Sequence, residues 1–161
     1  MSHWALTLAK KKINNMNTQH HYQVKVNWVS DRKGIVSSEV LPTTIEVATP
    51  PDFPKGMAGI WSPEHFLVAA ANSCLMTTFL AIAENSKLEF QSFECNAVGV
   101  LDKVDGKLMV AEIILHPTVV VADEPTAERA LRIIEKSEAA CLISNSLKSK
   151  MVLQSKVVVK H

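Results

Sequence analysis

A single cysteine, Cys74, stands inside the apolar stretch "SPEHFLVAAANSCLMTTFLAIAE" from Ser62 to Glu84, ten residues after a carboxylate near its start, Glu64. A cysteine in such surroundings is either a small hydrophobe filling the core or a nucleophile that the rest of the chain is built to hold. The second role requires the thiolate. A free thiol has a pKa of ~8.5, and burial in an apolar helix pushes it higher, so Cys74 needs a cation beside it. The helix dipole does not supply one. If the helix starts at Pro63, Cys74 lies about 15 Å along its axis at 1.5 Å per residue, and the dipole acts only within the first turn. The same distance keeps Glu64 from touching Cys74 directly along a straight helix. By itself Glu64 also reads as a first-turn carboxylate favoured by the dipole.

Several elements must position these groups. "YQVKVNWV" sets Tyr22, Val24, Val26 and Trp28 on one side and Gln23, Lys25 and Asn27 on the other. That is a strand with one wet face. After a turn at "SDRKG", "IVSSEVL" and "TTIEVAT" complete a meander of three strands. The prolines and glycines of "PPDFPKGMAG" (Pro50 to Gly59) predict an exposed loop. Ser62 is a hydroxyl N-cap followed by Pro63, which predicts a helix of about 22 residues, central and largely buried. Its small residues Ala69, Ala70 and Ser73 leave room for a second element to pack closely. "FECNAVGVLDKVDGKLMVAEIILHPTVVV" reads as a hairpin turning at Asp105-Gly106. Asp123 then caps a second helix, with Ala127, Ala130, Leu131, Ile134, Ser137 and Cys141 at helical spacing, and "KMVLQSKVVVK" is a last strand. Strands joined by short turns predict an antiparallel α+β fold in the order βββ-α-ββ-α-β around the long central helix.

Bulk properties narrow the field. The chain has 161 residues, 47% hydrophobic, with 17 Lys+Arg against 16 Asp+Glu. It is long enough for one domain with a real core, spanning residues 22–161, and residues 1–21 read as a flexible N-terminal arm. The near-neutral charge points to neither nucleic acid nor an anionic membrane. No apolar run approaches the ~20 residues that cross a bilayer. The three cysteines, Cys74, Cys95 and Cys141, lack CxxC or CxH spacing, so neither a disulfide framework nor a metal site is indicated, and the expected compartment is a reducing cytoplasm. A helix apolar nearly all round leaves a surplus face, which predicts a homodimer.

Taken together, "SPEHFLVAAANSC" and, far downstream, "SEAACLISNSL" resemble the OsmC/Ohr family (osmotically inducible protein C and organic hydroperoxide resistance protein). In that family an "NPE-x-L-x-A-A-x-x-x-C" helix carries a peroxide-attacking cysteine, a second cysteine sits in "C-P-x-S-N/K", and an Arg-x-Gly turn contributes an arginine. Pro63-Glu64 matches the helix opening, Cys74 the first cysteine, Cys141 to Asn145 the second site, and Arg32-Lys33-Gly34 the turn. Ser62 replaces the usual Asn, Leu142 the common Pro, and Ser30-Asp31 a frequent Gly-Gly.

The resemblance implies an intertwined homodimer and a cysteine-based peroxidase acting on organic hydroperoxides in the oxidative stress response. Cys74 would be peroxidatic and Cys141 resolving, with a Cys74–Cys141 disulfide between them. Arg32 would stabilise the thiolate and Glu64 would orient Arg32. An external dithiol would be the reductant, with no cofactor. Phe66, Leu67, Met76 and Phe79 would be available for an apolar pocket. Two other readings belong to different classes: a non-peroxidatic binding module of the same fold for a small apolar or thiol-reactive molecule, and a Cys-dependent hydrolase using His65 or His116 as base. The hydrolase lacks an evident third, orienting residue. Cys95 reads as a strand residue and His65 as a helix-surface one.

Overall fold

The computed structural model describes residues 19–160. Much of the predicted arm, residues 1–18, lies outside them, and 19–24 has no regular structure. Three strands follow, β1 (Lys25–Ser30), β2 (Lys33–Ser38) and β3 (Leu41–Ala48), forming an antiparallel sheet in that order. Asp31 has φ 45°, the left-handed turn conformation that a short polar side chain tolerates. Glu39-Val40, read above as strand, is the second turn. The sheet joins the rest where Val47 bridges Trp61 and the Ala48 N–H donates to the Trp61 carbonyl at 2.8 Å.

The apolar side of β1 is not buried within the protomer. Val26 is 65% and Trp28 76% exposed, so both of its faces are open, against the one-wet-face expectation.

Helix α1 (Pro63–Asn85) begins on Ser62, as the hydroxyl and the proline predict. The Ser62 Oγ accepts the His65 N–H at 3.3 Å, and the Ser62 N–H donates to His65 Nδ1 at 3.2 Å. His65 therefore completes a capping box, the role usually taken by Glu or Gln, and is more than a surface residue. Ala71, Leu75, Phe79 and Ala83 form its buried face at four-residue spacing. By length and composition α1 is apolar enough to cross a bilayer, a correction to the reading of apolar runs. The polarity that interrupts the run is folded back: Ser73 Oγ donates to the Ala69 carbonyl at 2.7 Å and Thr77 Oγ1 to that of Cys74 at 3.1 Å.

Strands β4 (Ser92–Val104) and β5 (Lys107–Val121) make the long hairpin, turning on Asp105 (φ 48°) and Gly106 (φ 78°), the pattern of a type I′ turn. At Gly99 strand and helix come so close that a Cβ would sit 2.5 Å from Val68 Cγ2. Helix α2 (Glu124–Ala139), capped by Asp123, returns the chain to strands β6 (Lys150–Leu153) and β7 (Lys156–Val159). The last predicted strand is thus two short ones, and both pair with β5 in parallel. A helical crossover carries the chain from the end of β5 back toward the end where β5 began, so the returning strands run parallel despite the antiparallel expectation. Two apolar clusters fill the interior. Phe79, Val119 and Ile134 belong to the first, and Ala71, Leu75, Ile113 and Leu115 to the second.

Candidate active site

Cys74 lies on the flank of α1 beside the buried face, one residue before fully buried Leu75, and is partly exposed. Four residues on, Thr78 Oγ1 is 4.0 Å from its sulfur. Cys141 arrives from the other direction. Helix α2 packs on α1 and ends at Ala139, and the next turn places Cys141 with no exposure at all. Asn145, part of the matched second motif, secures that end by donating Nδ2–H to the Ala139 carbonyl at 3.1 Å. The Ser144 N–H donates to the Cys141 sulfur at 3.5 Å. Cys74 and Cys141 lie close enough for each to act on the other's ionisation.

The electrostatics separate the pair. Burial raises the pKa of Cys74, but hydrogen bonds outweigh it and hold the thiol below its usual range. They come from the Cys141 thiol, the Ile143 main chain, the Thr78 hydroxyl and the Leu142 main chain. Cys141 moves the opposite way: burial raises it, and so does giving its proton to Cys74. The two thiols thus shift in opposite directions. Cys95, on β4, is pushed up to about 11 by burial, slightly offset by the His116 main chain. Thiols of that kind are inert.

Arg32 and Glu64 come together elsewhere. Both line a cavity of about 700 Å³ with apolar walls that include Trp28, Val47 and Phe53. Arg32 is exposed and, among the described residues, no carboxylate pairs with it, whereas its neighbour Lys33 is held by Glu46 at 2.9 Å. One Glu64 oxygen is buried without a hydrogen-bond partner. Within one protomer neither residue is among the groups that shift Cys74.

The expected pocket residues divide. Phe79 is core, fully buried against Phe90 (5.2 Å) and Phe93 (4.8 Å), because its position continues the Ala71–Leu75 stripe. Phe66 stacks on Trp61, and Met76 is 40% exposed. Among the described residues no group of three or more His, Cys, Asp or Glu converges as a metal site would. Sequence reasoning missed Thr78 and the main chain at residues 142–144. The former has a signal in the i, i+4 spacing from Cys74, and the latter has none in side-chain type.

Two helices and two sheets, with Cys74 on one helix and Cys141 just past the other, make up an α+β frame. The OsmC-like protein family model matches residues 56–156. The chain belongs to this family. It is 30% identical over 149 residues to the uncharacterized protein YmaD of Bacillus subtilis, covering 88% of this chain and 95% of that one. An OsmC-like protein of unknown function from Vibrio cholerae O1 superposes with a TM-score of 0.77 at 25% identity, covering 85% of this chain and 99% of that one. An organic hydroperoxide resistance protein from Legionella pneumophila shares the fold, with a TM-score of 0.68 at 18% identity, covering 88% of this chain and all of that one (100%).

Proposed function

We propose that the chain is a cysteine-based peroxidase that reduces organic hydroperoxides. What supports this reading is the approach of Cys141, at the end of α2, to Cys74 on α1, each acting on the other's ionisation, with the Cys74 thiol held below its usual range and the Cys141 thiol raised. The Cys74 thiolate attacks the terminal peroxide oxygen, the O–O bond breaks, and the leaving alkoxide takes a proton to become the alcohol. Cys74 is then a sulfenic acid. The Cys141 sulfur displaces its hydroxyl as water and forms the disulfide. An external dithiol restores both thiols and leaves as its own disulfide, with no cofactor required. A reducing cytoplasm fits this cycle.

A homodimer belongs to the same reading. The uncovered face of α1 carries Ser73, Met76, Thr77 and Leu80, and β1 exposes Val26 and Trp28. Exposed apolar side chains of this kind are normally covered at an interface. A second copy also answers a distance problem, because a chain's own Glu64 lies about 15 Å from its Cys74 along α1. Arg32 of the partner subunit would be the cation at Cys74. The orphaned Glu64 oxygen on the same cavity as Arg32 is suited to orient that guanidinium. The apolar walls of this cavity favour an organic peroxide over hydrogen peroxide.

The test counts free thiols before and after one equivalent of cumene hydroperoxide. Wild type should lose two thiols per chain rapidly, and Cys74→Ser should lose none at that rate. Slow, equal loss of all three cysteines would instead favour the binding-module reading.

A further inference from the structure

Helix α1 carries three hydroxyls close to Cys74, and two of them are folded back onto the helix itself. Ser73 Oγ donates to the carbonyls of Ala69 (2.7 Å) and Ala70 (3.3 Å), and Thr77 Oγ1 to the carbonyl of Cys74 (3.1 Å). Bonds of this kind are the ordinary fate of serine and threonine inside a helix. Thr78 is different. The carbonyl it would ordinarily use is that of Cys74, four residues back. That oxygen has two lone pairs, one for the Thr78 N–H in the helical ladder and one for Thr77. A helical side chain leans toward the N-terminal turn, so the Thr78 hydroxyl is carried over Cys74. It meets the sulfur at 4.0 Å and, among the described residues, has no other side-chain hydrogen bond. Branching at Cβ leaves threonine few rotamers, so the hydroxyl is held there.

We propose that Thr78 is a positioning residue for Cys74, its hydroxyl donating to the sulfur once that sulfur is ionised and holding it in one rotamer. Beside a neutral thiol either atom can be the donor. A thiolate has no proton and can only accept, so ionisation fixes the direction of the bond and strengthens it. A contact that is stronger in the anion favours the anion. The donor stands one turn away on the same helix, so it does not depend on Arg32, on Glu64 or on a second subunit. Cys141, just past α2, is the titratable group that acts on Cys74 from a neighbouring element, and no charged side chain of the described residues is among those that do.

The inference rests on Cys74 being the reactive thiol, and its test reads ionisation instead of turnover. The midpoint of Cys74 alkylation against pH is measured in the intact protein, with Cys95 and Cys141 followed by peptide mass. Thr78→Val keeps the branched shape and removes the hydroxyl. It should raise the midpoint by about half a pH unit, the scale of one modest hydrogen bond. Thr78→Ser keeps the hydroxyl and should keep the midpoint near that of wild type. Above the midpoint, where the sulfur is fully ionised, the alkylation rate of Thr78→Val should not fall, because a less stabilised thiolate is no weaker a nucleophile. A second readout needs no variant at position 78. In the ¹H–¹³C spectrum of wild type the Thr78 methyl signal should titrate with the Cys74 midpoint, and Cys74→Ser should abolish that step. Equal midpoints in wild type and Thr78→Val, equally raised midpoints in Thr78→Val and Thr78→Ser, or a methyl signal that ignores Cys74 would overturn the proposal. Failure of wild type to consume peroxide while these shifts appear would remove the peroxidase reading and leave this one standing.

Discussion

Cys74 and Cys141 lie close enough to act on each other's ionisation, and the two thiols shift in opposite directions, Cys74 down and Cys141, chiefly by burial, up. A donor stabilises the anion that receives it, while giving up the proton leaves the donor facing a negative neighbour. The alkylation order follows from these signs. As pH rises, Cys74 should react first, with a midpoint below that of an ordinary thiol, and Cys141 should react only above it. Cys95 should be last, near its value of about 11. Iodoacetamide labelling from pH 5 to 11, read by peptide mass, checks the order. Cys141 reacting before Cys74 would reverse the assignment of roles.

Replacing the resolving sulfur should separate the two chemical steps. In Cys141→Ser the first step still forms a sulfenic acid, which persists for capture by dimedone or advances to the sulfinic acid under excess peroxide. The same variant removes the thiol donor to Cys74 and offers a hydroxyl in its place. Labelling of Cys74 by dimedone in this variant but not in wild type is the expected result.

The start of α1 rests on the Ser62–His65 box, and Ser62 is 1% exposed. Ser62→Ala should cost about 1 kcal/mol of unfolding free energy, measured in urea. Phe79→Ala, at the centre of the aromatic cluster with Phe90 and Phe93, should cost about 3–5 kcal/mol, because a full ring's volume is left as cavity. These losses are structural, so the alkylation midpoint of Cys74 should move little in the folded Ser62→Ala protein.

Asp123 carries a pH signature of its own. Its side chain accepts the Thr126 N–H at 2.8 Å, and this bond lowers its pKa. A carboxyl held below its unfolded value contributes stability above the usual carboxylate range and loses it as pH falls through the lowered, folded value. The Tm gap between wild type and Asp123→Ala should therefore be open at neutral pH and close toward pH 3. Thermal melts across that range measure it, and a gap independent of pH would assign the loss to something other than the charged cap.

The exposed face of α1 supplies the test of assembly. Leu80, 41% exposed, and Thr77 sit on the side of the helix opposite Leu75. Leu80→Glu should shift the mass in solution, by light scattering, from dimer toward monomer while leaving the secondary structure intact. A wild-type monomer at micromolar concentration would exclude the dimer, and with it any contribution of the partner subunit's Arg32.

What the sequence makes legible here is largely local. Ser62-Pro63 and Asp123 announce the two helices, and Asp105-Gly106 announces the hairpin, because caps and turns depend on residues within a few positions. The division of the last strand and its parallel pairing escape, since pairing direction is set by the crossover and not by alternation. The open side of β1 escapes as well: Val26 and Trp28 alternate like core residues, and alternation does not say whether the protomer itself covers them. Cys74 and Cys141 are 67 positions apart, so only the resemblance couples them before the fold does. Thr78 is visible in hindsight from its i, i+4 spacing. The N–H groups at 142 and 143 are carried by every residue but proline, and no side-chain pattern marks them.

The central claim is that these two sulfurs form one redox unit. Non-reducing peptide mapping after one equivalent of cumene hydroperoxide tests it most directly. A peptide pair joined through residues 74 and 141, with Cys95 still free and the bond reversed by a dithiol, is the result expected. Unlinked peptides, with oxidation spread evenly over all three cysteines, would contradict the account.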